Sequence, residues 1–222
     1  MSLHPVSSSP GSAEDGSLRE LKFRGLRVSV EGFAGARLTW KHLTVCVDVP
    51  NPQGCDYALY THPHPRHYAA GTPLAEDRTI SPWLGPRVKP GDTLRLGEGV
   101  SVEVVEAYNR PDRGGTVAHP KGFGVGYVLS FEGLRVYHMG DTDLVDEVLG
   151  VAEEGVDLAF VPVGGGAVMT PDEAREAVRS LRPTLTIPVH YESERELFTF
   201  RDMVQPYTQV VILGERKWLR RF

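Results

Sequence analysis

The chain has 222 residues, of which 41% are apolar and 24% charged, and its net charge is −5 with an isoelectric point near 5.9. That composition is typical of a globular protein with a sizeable core. It disfavours non-specific nucleic-acid binding, which needs a basic surface, and no apolar run reaches the ~20 residues that span a bilayer.

The N-terminal residues 1–17 are rich in Ser, Gly and Pro. They predict a flexible arm ahead of a single domain over residues 18–222. They also lack the basic-then-apolar order of a secretory signal, so we expect a cytoplasmic protein. The two cysteines, Cys46 and Cys55, are close enough to pair, but the missing signal favours reduced thiols. Their spacing is not that of a zinc–thiolate site.

The first half of the chain predicts β-strands, because apolar and polar residues alternate over short segments. A hairpin is expected across Glu132-Gly133, and Pro50 to Cys55 predicts a turn-rich link. The predicted strands cover residues 21–24, 26–30, 36–40, 43–49, 57–61, 93–96, 100–107, 124–131 and 134–138.

The second half predicts alternating helices and strands. Thr142 can cap a short helix to Leu149, and Thr170-Pro171-Asp172-Glu173 is a typical helix start. Strands are predicted at 156–163, 185–190 and 209–213, and helices at 171–181 and 193–203. The chain thus begins with a series of strands and continues with alternating helices and strands. This order predicts an α/β (α+β) fold, with two sheets face to face and helices outside.

Three histidines, His62, His64 and His67, follow the apolar strand 57–61 within six residues. Imidazole is the commonest protein ligand for a transition metal. Two rings two residues apart at a strand end point into the same crevice. The cluster therefore predicts a metal site.

Three more candidate ligands, His119, Asp141 and His190, lie at strand ends or in loops beside them. We expect all six side chains to meet at one crevice. Nitrogen and carboxylate ligands without thiolate suit zinc, with manganese or iron as alternatives.

Five motifs of the chain, in this order, resemble the metallo-β-lactamase superfamily, nearest its predicted metal-dependent hydrolases related to ascorbate-6-phosphate lactonase. The similarity runs from about Leu21 to Leu213. The motifs are Thr61-His62-Pro63-His64-Pro65-Arg66-His67, His119-Pro120-Lys121-Gly122-Phe123-Gly124-Val125-Gly126-Tyr127, Tyr137-His138-Met139-Gly140-Asp141-Thr142-Asp143, Pro162-Val163-Gly164-Gly165-Gly166 and Ile187-Pro188-Val189-His190-Tyr191.

The resemblance implies an αββα sandwich of two mixed β-sheets with a metal centre between them. It implies a water nucleophile activated by the metals and a small-molecule substrate. It assigns three residues to each metal site, with Asp141 bridging. The first set is His62, His64 and His119, and the second is His67, Asp141 and His190.

Arg66 stands where the family motif His-x-His-x-Asp-His has aspartate. Arginine has no acceptor and cannot ligate a metal. A guanidinium about 4 Å from a dication would repel it by about 8 kcal/mol at an effective dielectric of ~20. We favour an Arg66 that fills the second site and pairs with Asp141, which leaves one metal. The alternatives are an outward Arg66 with two metals, or a fold that binds none.

The sequence therefore predicts a metal-dependent hydrolase of an ester, lactone or phosphodiester, with one zinc favoured and two as the alternative. Asp141 or His190 would handle the proton in place of the missing aspartate. Lys121, Tyr191 and Asn109 would bind a substrate anion or satisfy loop carbonyls. The competing hypothesis is a non-catalytic binding protein with a degenerate site, and whether the chain forms a homo-oligomer stays open.

Two acidic residues near the histidines, Asp48 and Asp56, are candidates to bond a ligand imidazole from behind. A turn or capping role is equally compatible with the sequence. His138 is expected in the core or behind the site rather than as a ligand.

Overall fold

The computed structural model describes residues 18–71, 74–113 and 117–214. The predicted arm at residues 1–17 lies outside them. No helix in these ranges is long and apolar enough to cross a lipid bilayer.

The first sheet has six strands in sequence order, antiparallel from β1 to β4 and parallel from β4 to β6. Because β4 and β5 run parallel, the residues after both strands reach the same edge of the sheet. The strands are β1 Glu20–Phe23, β2 Leu26–Glu31, β3 Gly35–Trp40, β4 Leu43–Val47, β5 Tyr57–Leu59 and β6 Thr79–Ile80.

The second sheet has seven strands in the order β13-β12-β11-β10-β9-β8-β7, with parallel pairing from β10 to β13. The predicted Glu132-Gly133 hairpin joins β9 and β10, as expected. The strands are β7 Thr93–Gly97, β8 Val100–Ala107, β9 Gly124–Phe131, β10 Leu134–His138, β11 Leu158–Pro162, β12 Leu185–Val189 and β13 Gln209–Val210.

The three α-helices of the described ranges are α1 Asp146–Gly150, α2 Pro171–Leu181 and α3 Glu194–Val204. Capping boxes start α2 and α3, because each N-cap hydroxyl accepts an N–H three residues on and a glutamate there bonds back. Both helices confirm their predictions. The predicted cap at Thr142 is wrong, because its hydroxyl accepts the Tyr108 N–H and the helix begins at Asp146.

The main core lies between the two sheets and draws buried residues from both, such as Leu38 and Val47 from the first and Leu129 and Ile187 from the second. A second apolar cluster joins the outer face of the seven-stranded sheet to the three helices. The predicted sandwich of two mixed sheets with outer helices is confirmed.

The predicted reduced state of the two cysteines is wrong, since Cys46 and Cys55 form a disulfide with a Cα–Cα distance of 6.0 Å. Cys46 pairs across the ladder with Ala58, while the Asp56 N–H bonds to the Thr44 carbonyl. The chain before β5 therefore folds back beside β4. The prediction depended on the compartment expected from the missing signal, and the sequence does not show that the two cysteines lie beside each other.

Candidate metal centre

The strands bring the predicted ligands to one edge of the sandwich. His62 follows β5, Asp141 follows β10 and His190 follows β12 directly. His119 lies in the loop between β8 and β9, and its carbonyl accepts the Asn109 N–H at 2.7 Å. Gly140 permits the turn into Asp141, because its φ is +66° and a Cβ there would lie 2.7 Å from the Val125 carbonyl oxygen.

One carboxylate oxygen is the centre of the cluster. Asp141 Oδ2 lies 3.0 Å from His190 Nε2, 3.4 Å from His119 Nε2 and 3.5 Å from both His62 Nε2 and His67 Nε2. His64 Nδ1 completes the set at 3.1 Å from His119 Nε2. All six predicted ligand side chains therefore converge.

The candidate ligand atoms form three overlapping groups, within each of which they lie no more than 4.8 Å apart. One is Asp48 with His62 and His67, and this carboxylate bonds His67 through Nδ1. Asp141 belongs to the other two groups. One of these two contains His62, His64, His119 and Asp141, and the other contains His67, Asp141 and His190. We call these the first half and the second half of the centre.

Three buried polar atoms of these ligand residues have no hydrogen-bond partner among the described residues. They are His62 Nε2, Asp141 Oδ1 and His190 Nδ1. Such atoms are rare in folded proteins, because a buried polar group without a partner costs about 1–3 kcal/mol. A cation beside Asp141 Oδ2 would supply the partner that His62 Nε2 lacks, so the donor set fits a bound metal.

The protonation states also suit cation binding. Burial lowers the pKa of His62 to about 3 and lowers those of His119 and His64, so these imidazoles are neutral at pH 7. Burial by itself raises the pKa of Asp141, but the His190 hydrogen bond and the His67 charge outweigh it and hold the pKa well below its usual range. The first three imidazoles are therefore neutral beside an ionised carboxylate. Burial by itself lowers the pKa of His67, but the charges of Asp48 and Asp141 outweigh it and raise that pKa.

Asp48 fixes the imidazoles of His67 and His62 from behind. Its fully buried carboxylate accepts the Thr61 N–H at 2.8 Å, the Thr61 hydroxyl at 2.6 Å and His67 Nδ1–H at 2.9 Å. Since the Thr61 hydroxyl gives its proton to Asp48, it accepts His62 Nδ1–H at 2.9 Å. Both rings thus present Nε2 to the crevice. Asp56 instead accepts the Thr44 N–H and contacts no imidazole of the described residues.

Asn109 has the same function for His119. Its Oδ1 accepts the His119 N–H at 2.9 Å and lies 3.1 Å from His119 Nδ1, while its amide donates to Asp143 and the Ala167 carbonyl. Asn109 is only 3% exposed. The structure therefore places it behind the ligand rather than at the crevice mouth, where a substrate would be met.

The other two predicted substrate-binding residues differ in exposure. Lys121 is exposed and its ammonium bonds to Glu147 at 2.6 Å, above the Tyr108 ring. Tyr191 is buried in the cluster beneath the helices. His138 is likewise buried, with Nε2 at 2.8 Å from the Ala34 carbonyl, which agrees with its predicted core position.

The favoured prediction for Arg66, that it fills the second half and pairs with Asp141, is wrong. Its side chain is 59% exposed, bonds to Glu192 at 2.8 Å and lies over the Phe33 ring at 4.5 Å. A guanidinium is more stable there than among imidazoles, because burial would remove its hydration.

Two phenyl rings that sequence reasoning missed contact the histidines. Phe123 lies 5.5 Å from the His64 ring and 6.0 Å from the His119 ring. Phe33 lies 4.3 Å from the His190 ring. The sequence signal for Phe33 is an apolar residue between the predicted strands 26–30 and 36–40, flanked by Gly32 and Gly35, where polar residues are usual.

Comparison with known proteins agrees with this geometry. A family model described as a beta-lactamase superfamily domain matches residues 21–190. A UPF0173 metal-dependent hydrolase of Thermococcus onnurineus is 32% identical over 190 residues, which are 74% of this chain and 81% of that protein. One from Polaromonas sp. is 33% identical over 164 residues, and the match covers 61% of this chain and only 60% of that relative.

Solved structures show the same architecture. A protein from Parabacteroides distasonis superposes with a TM-score of 0.76 at 25% identity, covering 89% of this chain and all of the other. Igni18, a metallo hydrolase from Ignicoccus hospitalis, gives 0.68 at 21% identity and shares the fold, with 86% and 96% of the two chains covered.

Proposed function

The chain belongs to the metallo-β-lactamase superfamily, and from the geometry of its centre we propose that it is a metal-dependent hydrolase. One observation carries the proposal. A single oxygen of Asp141 lies within 3.5 Å of four imidazole nitrogens that come from three separate segments of the chain. Such convergence of buried donors has no packing benefit of its own, because each needs a polar partner.

The first half would hold one dication through His62, His64 and His119, and the second half would hold another through His67, His190 and the shared Asp141. The donors suit zinc, and they also suit manganese or iron. A dication bound here would act as a Lewis acid on the scissile group and lower the pKa of the attacking water.

Two side chains of the centre are assigned the proton transfer and the contact with the leaving group. Asp141 Oδ2 is shared among the imidazoles, whereas Oδ1 is buried without a partner. We assign Oδ1 to receive the proton of the attacking water. His190 is 14% exposed, against 1–2% for His62, His67 and His119. It therefore lies closer to solvent, where it can contact the leaving group.

The substrate that we propose is a small ester, lactone or phosphodiester. The phenyl rings of Phe33 and Phe123 beside opposite halves of the centre favour a substrate with an apolar portion. The acidic composition gives no support to a nucleic-acid substrate.

The competing candidate, a binding protein with a degenerate centre, depended on an inward Arg66. Since Arg66 is bound to Glu192 at the surface, it leaves every donor of the centre in place. The hydrolase is therefore the better supported of the two.

Elemental analysis of protein purified without chelator, and again after reconstitution with zinc, manganese or iron, tests the proposal directly. We expect at least one equivalent of metal and turnover of p-nitrophenyl acetate or bis(p-nitrophenyl) phosphate. Asp141→Asn should abolish turnover, and Asp56→Asn, which alters a carboxylate outside the centre, should not. Well below one equivalent after reconstitution would refute the hydrolase.

A further inference from the structure

The imidazoles of the centre are not all held in the same way. Outer acceptors fix the rings of His62, His67 and His119 through Nδ1, namely Thr61, Asp48 and Asn109. His190 has no such acceptor among the described residues, because its buried Nδ1 is unpartnered. Apart from the Asp141 carboxylate at Nε2, another contact must hold this ring from behind.

Phe33 supplies that contact. Its ring lies 4.3 Å from the His190 ring at an interplanar angle of 61°, an edge-to-face arrangement. Its carbonyl accepts the His190 N–H at 3.0 Å, and the next carbonyl, that of Ala34, lies 2.8 Å from His138 Nε2. The tip of the β2–β3 hairpin is thus bonded across to the second sheet through the carbonyls of Phe33 and Ala34.

The backbone of His190 is confined from the other side. Its φ is +52°, which is uncommon for a residue other than glycine. A Cβ on Gly164 would lie 2.3 Å from the His190 carbonyl oxygen, so the neighbouring loop packs directly against it. The backbone position is therefore set, and the remaining freedom is that of the imidazole ring.

Arg66 holds Phe33 in turn. Its guanidinium carbon lies 4.5 Å from the Phe33 ring centroid, within the range of a cation–π contact. The same guanidinium bonds to Glu192, two residues after His190. Arg66 therefore connects the loop that carries His67 with the loop that carries His190.

We infer that Phe33 and Arg66 are positioning residues for His190, and that Arg66 supports the second half of the centre from outside in place of a ligating aspartate. We call Phe33, Arg66 and Glu192 the aromatic clamp. The inference rests on the proposed function, because it concerns how the chain holds a second metal ion.

The test is a titration of metal-free protein with Co²⁺, followed by its visible absorption spectrum and by equilibrium dialysis. The two equivalents are read separately and without any substrate. Phe33→Ala should weaken the second equivalent about tenfold, as loss of a contact behind a ligand does. Phe33→Tyr keeps an aromatic ring at this position and should bind the second equivalent as tightly as the unaltered protein does.

Arg66→Ala should weaken the second equivalent about two- to fivefold, which corresponds to the loss of one exposed cation–π contact. Arg66→Lys keeps the charge and should recover part of the loss. Arg201→Ala is the matched control, because Arg201 lies 4.8 Å over the Phe198 ring and pairs with Asp202, but on α3. It should change neither equivalent.

The outcomes separate the two proposals. Failure of the unaltered protein to bind cobalt would overturn the hydrolase and the clamp together. Binding of one equivalent alone would overturn the clamp and leave the hydrolase standing. The clamp also fails if Phe33→Ala weakens both equivalents alike, or weakens neither, in protein whose circular dichroism is unchanged.

Discussion

Replacement of Asp48 by asparagine tests whether a carboxylate behind the centre sets the tautomer of His67. Asp48 has no exposed surface, and its Oδ2 accepts both the Thr61 hydroxyl and His67 Nδ1–H. An asparagine that keeps its oxygen on the Thr61 N–H places an amide NH2 in the Oδ2 position. His67 Nδ1 must then accept, so its proton moves to Nε2, the nitrogen that faces Asp141.

The expected loss falls on one half of the centre. Removal of an outer partner typically lowers metal affinity by about 10- to 100-fold, or about 1.4–2.7 kcal/mol. That range overlaps the ~1.5–3 kcal/mol of a hydrogen bond to a charged group. The Thr61 hydroxyl has two acceptor lone pairs, so it can accept from the new amide and still accept His62 Nδ1–H. The first equivalent should therefore stay within about twofold.

Competition with a chromophoric zinc chelator at pH 7.5 gives both affinities. Asp56→Asn is the matched control, since Asp56 makes the same kind of bond to a backbone N–H at 2.7 Å but contacts no imidazole. If Asp48→Asn binds the second equivalent as tightly as the control does, with its fold intact, then Asp48 does not set the tautomer and the reasoning is refuted.

Three further predictions concern other parts of the centre and its support. Since burial lowers the pKa of His62 from 6.5 to about 3, the unfolded chain alone gains this proton below pH 6.5. The free energy of unfolding of the metal-free protein should therefore fall by up to about 5 kcal/mol between pH 6.5 and 3. In His62→Asn, the unfolding free energy measured with urea should depend less steeply on pH. Reduction of the Cys46–Cys55 disulfide should lower the free energy of unfolding by about 2–3 kcal/mol, from the entropy of the loop that it closes. The measurement is the midpoint of thermal unfolding, which should fall on reduction and equally in Cys46→Ser. Asn109→Ala should weaken the first metal equivalent by less than about tenfold, because the Ala167 carbonyl stays 3.1 Å from His119 Nδ1 after the Asn109 oxygen is removed. Dialysis that finds the second equivalent weakened instead would contradict this.

The convergence of the ligands could be predicted from the sequence because the ends of the strands can be located from the apolar segments. His62, Asp141 and His190 each follow an apolar segment, and such segments in one sandwich end at shared edges. The alternation of side chains then limits where each ring can point. The start of helix α2 could also be predicted from the sequence, because Thr170 and Glu173 form their capping box within four residues.

What could not be predicted depends on contacts between distant segments. The direction of Arg66 is decided by Phe33 and Glu192, which are 33 and 126 positions away in sequence. The motif that placed Arg66 beside the metals contains neither partner. The cysteine pair was misjudged for a related reason, since bonding depends on how β5 lies beside β4 and not on composition.

The loss of an aspartate at position 66 need not affect the two halves of the centre equally. The first half is held by Thr61 and Asn109, which bond His62 and His119 without any contribution from residue 66. The second half depends on Asp48 behind His67 and on the ring of Phe33 beside His190. Because arginine adds no ligand there and acts only through an exposed contact, the second half should release its ion first as chelator is added. The first half should keep its ion until competition exceeds the strength of three imidazoles, two of which are fixed from behind.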